Sequence, residues 1–268
     1  MNSTDQPVTI AVVGTHSTGK STFLARLAHE LRRTGLQVAT VADLGEQAQR
    51  MGMPILWNHT WTSTLWIVTR GISNELEAWL HGDVVLVDRA VPDALGYYRA
   101  ALAYRGEAAD PEGWTYLETL ARAHSHRYHL IFRTQLDPDI PLGTNKSRDG
   151  NHQFRNLADR HVGEVLAELT LPWLPLAADG HDAALTLAVG FAAKVMKTQA
   201  AQSDPQHDVS SRDPGVGGAF GTGRSGGGVM DCESTTGAGP TRQTLREVLD
   251  RLAELALPTS SADSDGKR

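Results

Sequence analysis

The sequence predicts an α/β fold, with about five parallel strands in a three-layer sandwich between helices. Three observations predict it: short apolar β-branched runs recur along residues 8–197, helically spaced apolar stripes separate them, and a glycine-bounded loop joins the first run to the first stripe. Val8 to Val13 is apolar and β-branched and stops at Gly14, which predicts a buried strand. Phe23, Leu24, Leu27 and Leu31 then recur at helical spacing across residues 20–33. Val38 to Val41 predicts a second strand and Thr60 to Leu80 a long helix. Val84 to Val87 predicts a third buried strand, ending at Asp88. Pro92 suits the first turn of a helix reaching about Tyr104, and another helix is predicted over 112–125. Leu130 to Phe132 predicts strand four. Phe154, Leu157, Ala158, Val165, Leu166 and Leu169 form a helical stripe, Trp173 to Leu176 predicts strand five, and 182–197 a closing helix. Such alternation implies a parallel sheet covered on both faces, with right-handed crossovers.

The 268 residues suffice for one sizeable core plus an appendage. A net charge of -6 supplies no basic field for nucleic acid. The single cysteine, Cys232, forms no intrachain disulfide, so a reducing cytoplasm is expected. The opening MNSTDQP has no signal-peptide core, and the longest nearly uncharged apolar stretch, Ala183 to Ala193, falls short of the roughly 20 residues a bilayer needs. A soluble cytoplasmic protein with no membrane partner is expected.

Composition breaks near residue 199. Gln199 to Pro240 holds ten glycines in 42 residues and few large apolar side chains, which predicts a disordered linker over 199–240. Beyond it, Leu245, Val248, Leu249, Leu252, Leu255 and Ala256 predict one amphipathic helix over 241–257. A lone helix is marginal in water, so it docks on the main domain, a second copy or a protein partner. The predicted organisation is a domain at 8–197, this linker, and the terminal helix.

Residues 14–21 read GTHSTGKS, a complete G-x-x-x-x-G-K-S phosphate loop between a strand and a helix. The chain is thus predicted to have the fold of a P-loop NTPase. Gly14 and Gly19 allow backbone angles that a side chain forbids. Thr15, His16, Ser17, Thr18 and Thr22 complete the predicted cradle, whose amides converge on phosphates at the helix amino terminus. Lys20 reaches the β and γ phosphates, and Ser21 offers its hydroxyl to Mg²⁺. ATP and Mg²⁺ are the expected ligands. His16 reads as a tolerated loop side chain beside the phosphates.

Asp88 ends a buried strand, so it emerges at the sheet's carboxyl edge, where ligands bind. Two functional roles suit it: holding Mg²⁺ through water, or accepting the proton of an attacking hydroxyl. The alternative makes it a helix cap with Arg89 as its ion partner. Asp93 and Tyr97 follow one helical turn apart.

The loop, the tryptophan-bearing segment TSTLWIVTRGISNELE, the run VLVDRAVPDALGYY and the segment SRDGNHQFRNLADR together resemble the NadR-type ATP-binding domain family. The resemblance covers roughly 8–197. It implies a nucleoside- and nucleotide-kinase-like fold, Asp88 in the base or metal position, and 144–160 as a lid over the phosphates. It further implies an ATP-dependent kinase or ATPase whose second substrate is a small-molecule acceptor such as a nucleoside. Asp43, Glu46 and Arg50 are the acceptor-side residues it suggests. Within the lid, at least one of Arg148 and Arg155 is predicted to contact phosphate, with Arg148 favoured because it sits in the loop, since mobile arginines stabilise charge spreading over the γ oxygens. The alternative pairs Arg155 with Asp159 on a solvated helix, and Arg160 reads as structural.

Other signals are weaker. Asn145-Lys146 is followed by Arg148 rather than an aspartate at the fourth position, and Asp93 to Gly96 falls inside a predicted helix, so ATP is favoured over GTP. His124, His126 and His129 form a conceivable metal cluster, for which a hydrated loop is the simpler reading. Trp66 and Trp79 read as core, and Trp57 or Trp61 as an acceptor-pocket residue. A regulatory ATPase acting through 241–257 is the rival to the kinase.

Overall fold

The structure is a computed structural model describing residues 6–136, 151–177 and 179–203. In chain order the elements are β1 (Val8–Val13), α1 (Lys20–Arg33), β2 (Val38–Val41), α2 (Gly45–Arg50), a 3₁₀ turn (Leu56–Asn58), α3 (Trp61–Ala78), β3 (Val84–Asp88), α4 (Val91–Arg105), α5 (Pro111–Ser125), β4 (Leu130–Thr134), α6 (His152–Glu168), β5 (Leu174–Leu176) and α7 (His181–Ser203). The strands form one parallel sheet in the order β2-β3-β1-β4-β5. The predicted three-layer α/β fold with five parallel strands is therefore observed.

Side chains alternate across a strand, so each strand feeds two cores. Ala11, Val13, Val85, Val87 and Ile131 pack with α3, α4, α5 and α6 on one face. Val8, Ile10, Val12, Leu86, Phe132 and Leu174 pack with α1 and α7 on the other. This explains why β1 is buried along its whole length and reads as an unbroken apolar run. Phe23 of α1 sets its ring edge-on to Phe132, 5.2 Å between centroids, and fixes the helix that follows the phosphate loop.

Several ends are set by local chemistry. Thr60 caps α3 in a capping box with Ser63, and Asn151 caps α6 by accepting from Phe154 N–H at 3.0 Å. Gly106, at φ 69°, closes α4 in the left-handed region. The sequence reading missed α2 and the 3₁₀ turn, which are too short for a periodic signal. It also stopped the last helix at 197, whereas α7 continues to Ser203, five residues into the predicted linker. The rest of 199–240 and the predicted helix 241–257 lie outside the described residues.

From β1 the chain moves to β2 on one side of the sheet, and from β3 it crosses to β4 on the other side of β1. This reversal beside β1 is the topological switch of an open α/β sheet, with its crevice at the strands' carboxyl ends. The phosphate loop and Asp88 both open into it.

Candidate functional site

The phosphate loop connects β1 to α1. Gly14 has φ 127°, and a Cβ there would lie 2.7 Å from the Thr134 carbonyl oxygen and closer still to that residue's hydroxyl, so only glycine is accommodated. Gly19 has φ 83° and starts α1. Ser17, a non-glycine, is also held at φ 64°, a strained angle of the kind concentrated at functional sites. Thr18 Oγ1 donates to the Thr15 carbonyl at 2.8 Å and meets Thr134 Oγ1 at 2.6 Å, which ties the loop to the end of β4. The Thr15 and Ser17 hydroxyl oxygens are buried without a hydrogen-bond partner among the described residues.

Lys20 is 5% exposed, and its ammonium donates to the Thr15 carbonyl oxygen within the loop. Burial, reinforced by the nearby Arg89 guanidinium, pulls its pKa down to about 7. A polyphosphate would reverse that by supplying negative charge. Ser21 Oγ donates to Asp88 Oδ2 at 2.5 Å, which brings together the two predicted metal residues. Asp88 Oδ1 is buried with no hydrogen-bond partner among the described residues. A hydroxyl and a carboxylate form a hard-oxygen donor pair of the kind Mg²⁺ takes. The helix-capping alternative for Asp88 fails, because Ala90 is the N-cap of α4.

Arg89 follows at φ 72°, and this unusual backbone angle accompanies a guanidinium bound to the loop. Its Nε donates to Asp43 Oδ2 at 2.7 Å, and one terminal nitrogen donates to Asp93 Oδ2 and the Gly14 carbonyl, both at 3.2 Å. The guanidinium carbon lies 4.8 Å from the Tyr97 ring centroid. Burial works against the charge, but Asp43, Tyr97 and Asp93 outweigh it and raise the pKa of Arg89. Arg89 thus pairs with Asp43 and Asp93, whereas the sequence alternative gave it to Asp88. Asp93 Oδ1 accepts the Gly14 N–H at 3.0 Å, and the Tyr97 hydroxyl accepts the His16 N–H at 2.9 Å. Helix α4 therefore grips both ends of the GTH segment. Burial pushes Asp93 up to about 6, against the pull of Arg89.

These groups share one cavity of about 850 Å³. It runs from the loop past Asp88 and Arg89 into a compartment walled by the end of β2, α2, α3 and α4. Asp43, Glu46 and Arg50 all line it. Asp43 accepts the Gly45 N–H at 2.8 Å, and this bond with Arg89 holds its pKa below the ordinary value despite burial. Ile67, Gly71 and Glu75, at successive turns of α3, form one wall. Glu75 is 1% exposed and bonded to His124 Nε2 at 2.8 Å and the Tyr128 hydroxyl at 2.9 Å.

Several sequence expectations require correction. His124 and His129 are buried side chains with defined partners rather than parts of a hydrated loop, and no three-residue metal cluster is found among the described residues. Trp57 and Trp61 do not line the cavity. Trp57 leans on Tyr104, and Trp61 donates to the Gly113 carbonyl at 2.9 Å. His59, Leu56, Ile67 and Tyr97 line the cavity, and the sequence reading had assigned none of the first three to a site. Arg155 is 3% exposed on the inner side of α6 and does not line the cavity. Asp159 pairs with Arg133, at 3.3 Å, rather than with Arg155. Arg148 and most of the predicted lid lie outside the described residues. Arg160 stays on the surface beside Glu164.

A parallel sheet whose central strand turns through a phosphate loop into a helix, with an acid at the end of the neighbouring strand, defines a P-loop protein of kinase-like architecture. The chain belongs to the AAA domain family, whose model matches residues 9–183. Among solved structures, the fold is similar to that of a NadR protein in complex with NR: 17% identity, TM-score 0.50, 66% of this chain and 47% of the other covered. The chain therefore spans about half the length of that protein. A thymidylate kinase from Candida albicans aligns at 12% identity and TM-score 0.48, over 73% of this chain and 93% of its own. No curated protein matches the sequence. Among the described residues, no helix is long and apolar enough to cross a membrane.

Proposed function

We propose that the protein is an ATP-dependent phosphotransferase that moves the γ-phosphate of ATP to a hydroxyl of a nucleoside-like small molecule. The observation that carries this reading is the single cavity joining the phosphate loop to a second walled compartment. An ATPase needs room only for the nucleotide and a water, whereas this space extends from Lys20 and Ser21 past Asp88 to Glu75. The likeness in fold to a NadR protein crystallised with NR is consistent with a nucleoside-like acceptor.

In this reading the loop amides and Lys20 hold the triphosphate, and Lys20 regains its full charge beside it. Ser21 and Asp88 would hold Mg²⁺, which supplies charge neutralisation at the phosphates when bound. The acceptor lies in the second compartment with its hydroxyl toward Asp88. The hydroxyl oxygen bonds to the γ-phosphorus as the bond to the β–γ bridging oxygen breaks, which releases ADP. The hydroxyl proton passes to a carboxylate at the compartment mouth, a role proposed for Asp88, which lines the cavity at the end of β3. Arg89, fixed by Asp43 and Asp93, sets positive charge beside the loop. Arg148, in the predicted lid, closes over the γ-phosphate in this reading.

The test is ADP release measured with MgATP against a panel of nucleosides, vitamins and nucleotides. The proposal expects turnover that rises at least about tenfold with a nucleoside-like acceptor and yields its phosphate ester. Equal turnover with and without every acceptor would contradict it and favour the regulatory ATPase.

A further inference from the structure

Helix α4 begins without a cap of its own. Its N-cap is Ala90, whose methyl group cannot accept from the first amides. The amide of the first helical residue, Val91, donates instead to the Tyr128 hydroxyl at 3.0 Å, across from the turn between α5 and β4. An amide N–H only donates, so that hydroxyl accepts from Val91 and directs its own proton to Glu75 Oε1, at 2.9 Å. Burial and the Glu75 carboxylate raise the pKa of the phenol well above its ordinary value, so the proton stays in place. His124 Nε2, 2.8 Å from the other Glu75 oxygen, braces the carboxylate from the side. All three side chains are buried, so the strut works in a low dielectric, where its bonds are strong and an unpaired member is costly.

What the strut holds is the elbow between β3 and α4. Asp88 ends the strand, Arg89 turns at φ 72°, and Ala90 leads into the helix at φ -61° and ψ 158°. A non-glycine residue in the left-handed region is strained and persists only where its surroundings over-determine it. Two tethers hold the elbow from the loop side. The Arg89 N–H donates to the Val12 carbonyl at 3.0 Å, and its guanidinium is bound by Asp43 and Asp93. Tyr128 supplies the tether on the far side, one residue past Ala90. Asp88 stands directly before the elbow, and its Oδ2 accepts from Ser21 Oγ. The direction of its carboxylate therefore depends on a turn pinned at both ends.

We infer that Tyr128, braced by Glu75 and His124, is a positioning residue that fixes the β3–α4 elbow and so aims the Asp88 carboxylate at Mg²⁺ beside Ser21. The inference rests on the proposed placement of the metal between Ser21 and Asp88. Tyr128 does not line the cavity and acts only through Asp88. That gives it a signature which lost stability does not share. The phosphate loop is held by Asp93 and Tyr97, so its grip on metal-free nucleotide does not need Tyr128.

The test is calorimetry on the full chain with a non-hydrolysable ATP analogue, titrated with Mg²⁺ present and with Mg²⁺ removed by a chelator. The ratio of the two affinities measures the coupling between metal and nucleotide. Tyr128→Phe deletes one oxygen and keeps the ring in the core. It is expected to cut that ratio at least about fivefold, while metal-free affinity stays within about twofold of wild type. Asp88→Asn is expected to lower the ratio as far or further. Adding Tyr128→Phe to it is expected to change the ratio no more, because the tyrosine acts through the carboxylate. Leu117→Ala, which opens a cavity in the same core, is expected to lower the melting temperature and leave the ratio alone. Hydrogen exchange gives a second reading: in Tyr128→Phe the amides over 89–91 exchange faster, while those over 14–22 keep their wild-type protection. If the Phe variant does not fold, His124→Gln takes its place. It loosens the brace on Glu75 and is expected to lower the ratio in the same pattern, and no change in it overturns the inference. A Tyr128→Phe ratio equal to wild type, or an equal loss of affinity with and without the metal, overturns the inference alone when Asp88→Asn lowers the ratio. A ratio untouched by Asp88→Asn would show the metal placement to be wrong, and the positioning role falls with it. Failure of the wild type to bind the analogue at all contradicts the proposed function itself.

Discussion

Asp93→Ala tests how the phosphate loop is held, because Asp93 joins the loop to α4. Its carboxylate is 2% exposed, accepts the Gly14 N–H at 3.0 Å and takes the Arg89 guanidinium at 3.2 Å. Truncation orphans the Gly14 N–H, which costs about 1–3 kcal/mol. It also removes one of two carboxylates from Arg89. Breaking a buried pair outright costs about 3–5 kcal/mol, but Asp43 stays on Arg89 at 2.7 Å, so only part of that is lost. The sum expected is about 3–4 kcal/mol, a large share of the roughly 5–15 kcal/mol that holds a domain together. Asp93→Asn keeps an oxygen for Gly14 and loses the charge, so about 1–2 kcal/mol is expected. Urea unfolding followed by circular dichroism measures both, and MgATP calorimetry on the Asn variant reports whether the loop keeps its shape. A cost below about 1 kcal/mol for the Ala variant would refute the claim that this carboxylate ties the loop to α4.

Three further outcomes follow from the geometry. His129 Nδ1 accepts the Thr9 N–H at 3.1 Å, and burial lowers its pKa from 6.5 to about 4. The folded state therefore resists a proton that the unfolded chain takes up. The His129 contribution is fully present above pH 6.5 and up to about 3 kcal/mol of it is lost as pH drops to 4, and His129→Asn removes that share of the slope in urea titrations at several pH values. Glu75→Ala strips the buried His124 and Tyr128 of their shared acceptor and is expected to cost about 3–5 kcal/mol by the same unfolding assay, with a cost under 1 kcal/mol speaking against the cluster. Gly14→Ala forces a Cβ to within 2.7 Å of the Thr134 carbonyl at φ 127°, so at least tenfold loss of MgATP affinity is expected in calorimetry.

The parts legible in the sequence are those with a period or a fixed spacing. β1 and β3 are buried on both faces, so they appear as unbroken apolar runs, and the turn from Val13 through Gly14 to Lys20 is dictated by glycine angles. Asp88 was visible because a strand of known start must end at the sheet edge. The acceptor compartment was much less visible. His59 lies between a three-residue turn and the Thr60 cap, where no periodicity marks it. Glu75 reads as an exposed helical charge until α5 and the turn before β4 bring His124 and Tyr128 against it. The histidine series at 124–129 was misjudged for the same reason: its partners, Thr9 and Glu75, are distant in sequence. Ile67, Gly71 and Glu75 share a face at i, i+4, i+8, and a glycine and an acid on the stripe of an otherwise apolar residue was the available hint.

MgATP titrated by calorimetry into the wild-type chain and Lys20→Ala tests the central claim most directly. Micromolar or tighter binding by wild type, weakened at least about a hundredfold in a variant that stays folded, is the predicted result. Equal MgATP affinity in the two proteins would place the triphosphate somewhere other than the loop between β1 and α1.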